Sequence, residues 1–276
     1  MSELPSLSQT ALSQPDTRPR QGLKNWLGLK TLYLREVRRF SKVYIQTIMA
    51  PMVTTLIFLA IFTLAIGKLR GEINGVPFIE FLAPGLIMMA IIQNAFANAS
   101  SSLMGAKMQG NIIDTLMPPL TSQELVLAYS GGGATRGLVV GVAVALAMSF
   151  FVPLWPSNIF LVLFHAVAAS LMMALLGIIG GVWAEKNDQM AVITSFIVTP
   201  LSFLSGTFYS IDRLPELLQT ITHFNPFFYA IDGLRAGFIG RSDLPAIQGI
   251  VVMFAVNLIL WIICRRLFTS GYKLKA

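Results

Sequence analysis

Two sets of side chains in this sequence have the types and spacing to do more than fill a core. Asn94, Asn98 and Ser101 fall at i, i+4 and i+7, with Gln93 and Ser102 beside them. Ser195, Thr199 and Ser202 repeat that spacing, joined by Thr194 and Ser205. At 3.6 residues per turn each set occupies one face of a helix, and both lie in long apolar runs. Uncharged amides and hydroxyls in such runs either hydrogen-bond between helices or line a path for a solute. Neither role is bond-breaking chemistry, and no catalytic residue is expected. His165 and His223 are too far apart for metal-ligand spacing. His165, alone in the middle of a run, reads as a packing hydrogen-bonder. No centre of an apolar run is expected to carry Asp, Glu, Lys or Arg, with Arg136 expected to snorkel to the inner interface. That disfavours a proton- or sodium-coupled carrier and an intramembrane enzyme, both of which need such groups. No G-x-x-x-x-G-K-[ST] phosphate loop occurs in the chain, so ATP is not bound in that way, and neither a metal nor a cofactor is expected here.

The runs that hold these residues define the class. The 276 residues are 55% hydrophobic and only 12% charged, where a soluble domain carries about twice that charge. An all-α integral membrane protein follows. Residues 1–21 are polar and rich in Ser, Pro and Gln, which suits a disordered cytoplasmic tail and no cleavable signal. The transmembrane domain is read over 22–276. It opens with 22–42, whose Trp, Leu and Tyr side faces a side of Lys and Arg; this is either an interfacial amphipathic helix or a basic flank that sets orientation. Six apolar stretches follow, at about 43–67, 81–106, 137–154, 159–184, 189–211 and 244–264, each long enough to cross a core of about 30 Å. With both termini inside, fifteen of the 20 Lys and Arg face the cytoplasm, so the positive-inside rule gives N-in, C-in. The net charge of +7 therefore reports orientation and not nucleic-acid binding. The one cysteine, Cys264, excludes an intrachain disulfide.

Two connections stand out. The inner loop, 107–124, carries Ile112, Ile113 and Leu116 as an apolar ridge bounded by Asp114 and by Pro118-Pro119. It is either a docking helix for a soluble partner or a plain surface loop. The outer connection, 212–240, is too polar to span and too apolar for an ordinary loop. Leu214, Leu217, Leu218 and Ile221 make one apolar face, with Pro215 in the first turn. Asn225 is a good N-cap and Pro226 suits the first helical position, so a second half-helix starts there with Phe227, Ile231, Leu234 and Phe238 on its apolar face. Each half has about 11 residues, roughly 16 Å. The pair either dips into the membrane as a re-entrant hairpin or lies flat on it. Asp232 and Arg235, at i and i+3, are expected at the outer water boundary, paired with each other or with neighbours. Gly133, Gly137 and Gly141 recur every four residues, as do Gly177 and Gly181, and such stripes let helices approach closely.

These residues resemble the permeases of the ABC-2 type transporter family over about 22–276. The specific part is FYSIDRLPELLQTITHFNPFFYAIDGLRAGFIG, supported by FLAPGLIMM, the GGGxxRG segment and the inner loop with its paired prolines. Within the family the likeness is to bacterial inner-membrane permeases. The resemblance implies a six-helix permease that pairs with a second copy of itself, with two separate ATPase subunits docked below that hold the ATP and Mg. It implies that 22–42 is the connecting helix and that 111–119 contains the coupling helix. It also implies that 214–238 holds re-entrant helices gating the exit. The expected function is export of a lipid-like, glycolipid or drug-like substrate from the cytoplasm or inner leaflet. A channel or non-transporting scaffold subunit is the alternative from another class.

Overall fold

The computed structural model describes residues 25–67, 71–73, 75–211 and 215–274; the tail reading of 1–21 and the gate residue Leu214 lie outside them. Helix α1 (Trp26–Ser41) is amphipathic and starts where the Asn25 side chain accepts from the Gly28 N–H at 2.9 Å. Its buried side is Leu29, Leu32, Glu36 and Phe40. The chain then enters α2 (Ala50–Phe62), flanked by π-helical turns at Ile45–Met49 and Thr63–Gly67. The first π turn lies just ahead of Pro51. Proline lacks an N–H and its ring crowds the carbonyl four residues back, and a wider turn relieves both. The same device recurs at Thr194–Val198, ahead of Pro200, between α7 (Asn187–Ile193) and α8 (Thr199–Leu204).

The centre of the bundle is α3 (Phe78–Met108), buried along most of its length. It follows a small hairpin of β1 (Glu72–Ile73) and β2 (Val76–Pro77). Against α3 pack α5 (Ser122–Met148) and α6 (Ile159–Trp183), and both contacts run through glycine. A Cβ at Gly137 would lie 2.9 Å from the Ile91 carbonyl oxygen, and one at Gly177 would lie 2.6 Å from that of Phe96. The glycine stripes thus set close helix approach, as their spacing suggests. A short helix, α4 (Ile112–Leu116), joins α3 to α5. Beyond α8 come α9 (Glu216–His223), α10 (Pro226–Ile239) and α11 (Ala246–Ser270).

Among the described residues, five helices are long and apolar enough to cross a membrane: Ile45–Ala65, α3, α5, α6 and α11. The stretch read as a fifth of six spans is not among them, because its helix opens on the polar run Asn187-Asp188-Gln189, which lowers its mean hydropathy. The third span also begins earlier than 137. Thr121 and Glu124 form a reciprocal capping box that starts α5 at Ser122, so the loop read as 107–124 closes at 121. The consequence falls on Arg136. It lies near the middle of helix α5 and not ahead of it.

Candidate functional site

The polar stripe of α3 is where the chain's charges converge. Glu36, 1% exposed, comes in from α1 through a notch made by Gly132, where a Cβ would lie 2.5 Å from its own Cβ. Its carboxylate accepts from Ser102 Oγ at 2.8 Å and pairs with Arg35 at 3.3 Å and Arg39 at 3.4 Å. Arg39 reaches further along α3. It donates to Ser101 Oγ at 3.1 Å, to the Asn98 carbonyl at 2.6 Å and to Asn98 Oδ1 at 3.0 Å. Deeper still, Arg136 Nη2 donates to Asn94 Oδ1 at 3.1 Å. Asn94, Asn98 and Ser101 are therefore brought together, and each faces a guanidinium. The second stripe is not brought together as one face: Ser195 is exposed, Thr199 half-buried and Ser202 fully buried, with Ser202 Oγ bonded back to the Val198 carbonyl. Sequence periodicity found the amides and missed their partners. The signal for Arg136 was the T-x-x-E capping box fifteen residues upstream, which fixes where α5 begins.

At the α1 end a cleft of about 770 Å³ opens beside this stripe, lined by Arg35, Arg38, Arg39 and Lys42 together with Glu36 and Asp114. The connecting segment α4 closes one side of it. The expected ridge of Ile112, Ile113 and Leu116 is split. Ile112 is 4% exposed and packs in the core, and Leu116 is half-buried. A single turn of helix cannot turn three such positions to one side, so Ile113, Asp114 and Met117 face outward, followed by the exposed Pro118 and Pro119. Thr115, buried between them, accepts from Arg35 Nη1 at 3.0 Å and ties α4 to α1. Asn25 N donates to Glu124 at 2.6 Å and ties α1 to α5. At the same end Lys107 donates to the Val182 and Ala184 carbonyls at 2.6 and 2.7 Å, capping α6 with a cation. The Lys273 ammonium, 2.8 Å from Glu185, holds that carboxyl below the usual carboxylate range.

The α9–α10 pair is unequal, with 8 and 14 residues where two equal halves were expected. Asn225 caps α10, accepting from the Phe227 N–H at 3.1 Å, and its Nδ2 donates to Ser205 Oγ at 2.8 Å. Pro215 precedes α9 in place of sitting in its first turn. The apolar face of α9 is exposed: Leu217 is 74% and Phe224 85% exposed. Helix α10 is instead buried on nearly every side. It runs antiparallel to the first half of α6: Asn158 N donates to the Gly237 carbonyl at 2.8 Å, and Gly233 makes room for His165. Its first residues share an apolar groove of about 550 Å³ with Phe96, Gly180 and Trp183, toward the far end of α6. Asp232 and Arg235 are 5% and 3% exposed, so they are inside the protein and not at open water. They bond to backbone and not to each other. Asp232 accepts from the N–H groups of Asp243 and Leu244, and Arg235 donates to the Gly206 carbonyl at 2.6 Å with its guanidinium 3.8 Å from the Phe81 ring centre. His165 bonds through Nδ1 to the Leu161 carbonyl of its own helix and does not bridge helices as expected. Among the described residues, no group of His, Cys, Asp or Glu is placed to hold a metal.

The comparisons with known proteins follow the same outline. The model of the ABC-2 type transporter family matches residues 28–239. The inner membrane transport permease YadH of Escherichia coli (strain K12) is 37% identical over 253 residues, 91% of this chain and 98% of that protein. Nodulation protein J of Sinorhizobium fredii (strain NBRC 101917 / NGR234) is 24% identical over 79% of this chain and 82% of its own length. Nodulation protein J of Rhizobium leguminosarum bv. viciae is 25% identical over 82% of this chain and 86% of its own length.

Proposed function

This chain belongs to the ABC-2 type transporter family, and from that premise we propose that it is the membrane half of an exporter powered by a separate ATPase. The likeness to an inner membrane transport permease and the five apolar helices make it a multi-pass protein of the bacterial inner membrane. Permeases of this family work with an ATP-binding subunit. ATP and Mg would be held on that partner, in two copies beneath a homodimer of this chain. The α1 end faces the cytoplasm in this reading, and 187–204 serves as the sixth span, so that both termini lie inside.

The observation that carries the proposal is the construction of α4. It is a single turn that offers Ile113 and Met117 to the outside, while Ile112 and the Thr115–Arg35 bond lock it to the core and to α1. A partner gripping Ile113 and Met117 would push α1 and α5 as one body, a rigid-body input of the kind that switches transporters between packings. Ile112, Asp114, Leu116, Pro118 and Pro119 shape that contact. At the outer side, α9 and α10 would form the gate, with Pro215, Asn225, Pro226, Asp232 and Arg235 holding it. The antiparallel run of α10 along α6, about 21 Å at 1.5 Å per residue, supports a hairpin that dips into the bilayer. The exported molecule is of the lipid-like, glycolipid or drug-like class, moving past Asn94, Asn98 and Ser101, with Ser195, Thr199 and Ser202 on the other side of the path. The test is recovery of the ATPase with the detergent-extracted permease. Ile113→Asp with Met117→Asp places two charges in the docking contact, where an unpaired buried charge is strongly unfavourable. ATPase recovery should fall at least about tenfold while the permease elutes as a folded species. Unchanged recovery removes the docking role of α4.

A further inference from the structure

The amide ladder of α3 ends in donors that nothing among the described residues accepts from. Arg39 Nε, Asn98 Nδ2 and Arg136 Nε are buried polar atoms without a hydrogen-bond partner. Buried donors of this kind ask for an explanation. All three lie on one face, in the order Arg39, Asn98, Arg136, leading inward from the basic cleft. Asn98 is completely buried, and its Oδ1 is already taken by Arg39, so the amide cannot satisfy itself by turning over. The charge count points the same way. Four cations and two carboxylates line the mouth; Glu36 Oε1 accepts from Ser102 and Arg35, and its Oε2, which takes no hydrogen bond, is 3.4 Å from Arg39. Arg136, deeper in, is bonded to an amide and not to a carboxylate. Asn94 is about 20 Å along α3 from Lys107, at 1.5 Å per residue. Arg136 thus meets α3 well inside that helix, whose 31 residues exceed what a core of about 30 Å needs. An ionisable group within an apolar helix of a membrane protein marks a ligand pathway by default. The cleft also has an apolar neighbour. Val43 lines it, and the π turn and α2 that follow leave Ile45, Met49, Val53 and Ile57 exposed.

We propose that Arg39 and Arg136, set on the Asn98 and Asn94 rungs of α3, form a two-step site for the phosphate-type headgroup of an anionic amphiphile, whose chains lie along α2. A phosphate oxyanion is acceptor-only at its charged oxygens, matches the planar fork of a guanidinium, and takes up the donors left over. Arg39 receives the headgroup from the cleft, and Arg136 holds it one turn of α3 further in. This rests on the reading of the chain as a transporter subunit and names the class of molecule carried.

The experiment is native mass spectrometry of the purified full chain offered equal amounts of phosphatidylglycerol and phosphatidylcholine. Wild type should retain phosphatidylglycerol about tenfold over phosphatidylcholine. Arg136→Gln and Arg39→Gln should each bring the two within about twofold, and Arg266→Gln, exposed on α11 and outside the cleft, should keep the preference. Arg136→Lys keeps the charge and serves if Arg136→Gln does not fold; it should retain a reduced preference. Displacement of the retained lipid by excess inorganic phosphate shows that the oxyanion alone occupies the site. Resistance to phosphate shows that headgroup and chains are needed together, and either result upholds the anion site. Equal retention of both lipids by wild type overturns it, as does an undiminished preference in the folded Arg39 and Arg136 variants. No ATPase enters this assay. Failure here with the ATPase still recovered removes the anionic cargo and leaves the exporter, whereas success here without any recoverable ATPase leaves a lipid site and removes the exporter.

Discussion

At the scale of single residues, His165 is a wedge. It is fully buried between α6, α10 and α11, and it fits because Gly233 and Gly249 have no side chains. A Cβ on Gly233 would stand 2.1 Å from His165 Nε2. Gly233→Ala should therefore cost about 1–3 kcal/mol by overpacking, and adding His165→Ala should recover part of that loss, because residues in contact are not additive. Thermal unfolding in detergent reads both, and strictly additive losses would show that the two do not touch. Asn225→Ala should cost about 1 kcal/mol as a lost N-cap, seen as a small drop in midpoint with normal expression. The two cases differ in how far they could be read from sequence. Asn225-Pro226 is local grammar, and the cap stands where the sequence puts it. His165 and Arg136 depend on which helix comes alongside and where a helix starts, and neither is encoded within a few residues of them.

At the scale of elements, amphipathic patterning identified α9 and α10 but could not say which apolar face meets protein. Leu217, Leu218 and Ile221 form the face read from sequence and are exposed, while α10 is enclosed even at Asp232 and Arg235. Hydropathy cannot separate a lipid-facing side from a protein-facing one, since both are apolar. Glycine spacing was more informative, because a missing Cβ has only one use in a packed bundle, and Gly133, Gly137 and Gly177 all lie against α3 backbone or small side chains. The dipping hairpin is tested by single cysteines through 215–239 on a Cys264→Ser background, since Cys264 is the chain's one thiol and is buried. An impermeant maleimide applied from outside should label positions near 215 and 239 and spare those near Asn225. Labelling along one whole face of both helices would place the pair flat on the surface.

At the scale of the whole molecule, composition was sufficient for the class, and the family signature for the kind of machine, while the number of spans was harder to read. The stretch 187–204 is helical but polar at its start and widened before Pro200, so length and hydropathy alone leave it outside the five clear spans. The central claim is that ATP on a partner subunit moves this chain through α4, and it is tested most directly by one distance. A spin label at Gln109, exposed beside α4, on the Cys264→Ser background, reports the separation between two copies in the assembled complex. Pulsed dipolar spectroscopy should give a defined distance without nucleotide. That distance should change by several ångströms when ATP and Mg are added with a hydrolysis-blocked ATPase. A complex with no dipolar signal, or with a distance that ATP leaves unmoved, would contradict the account.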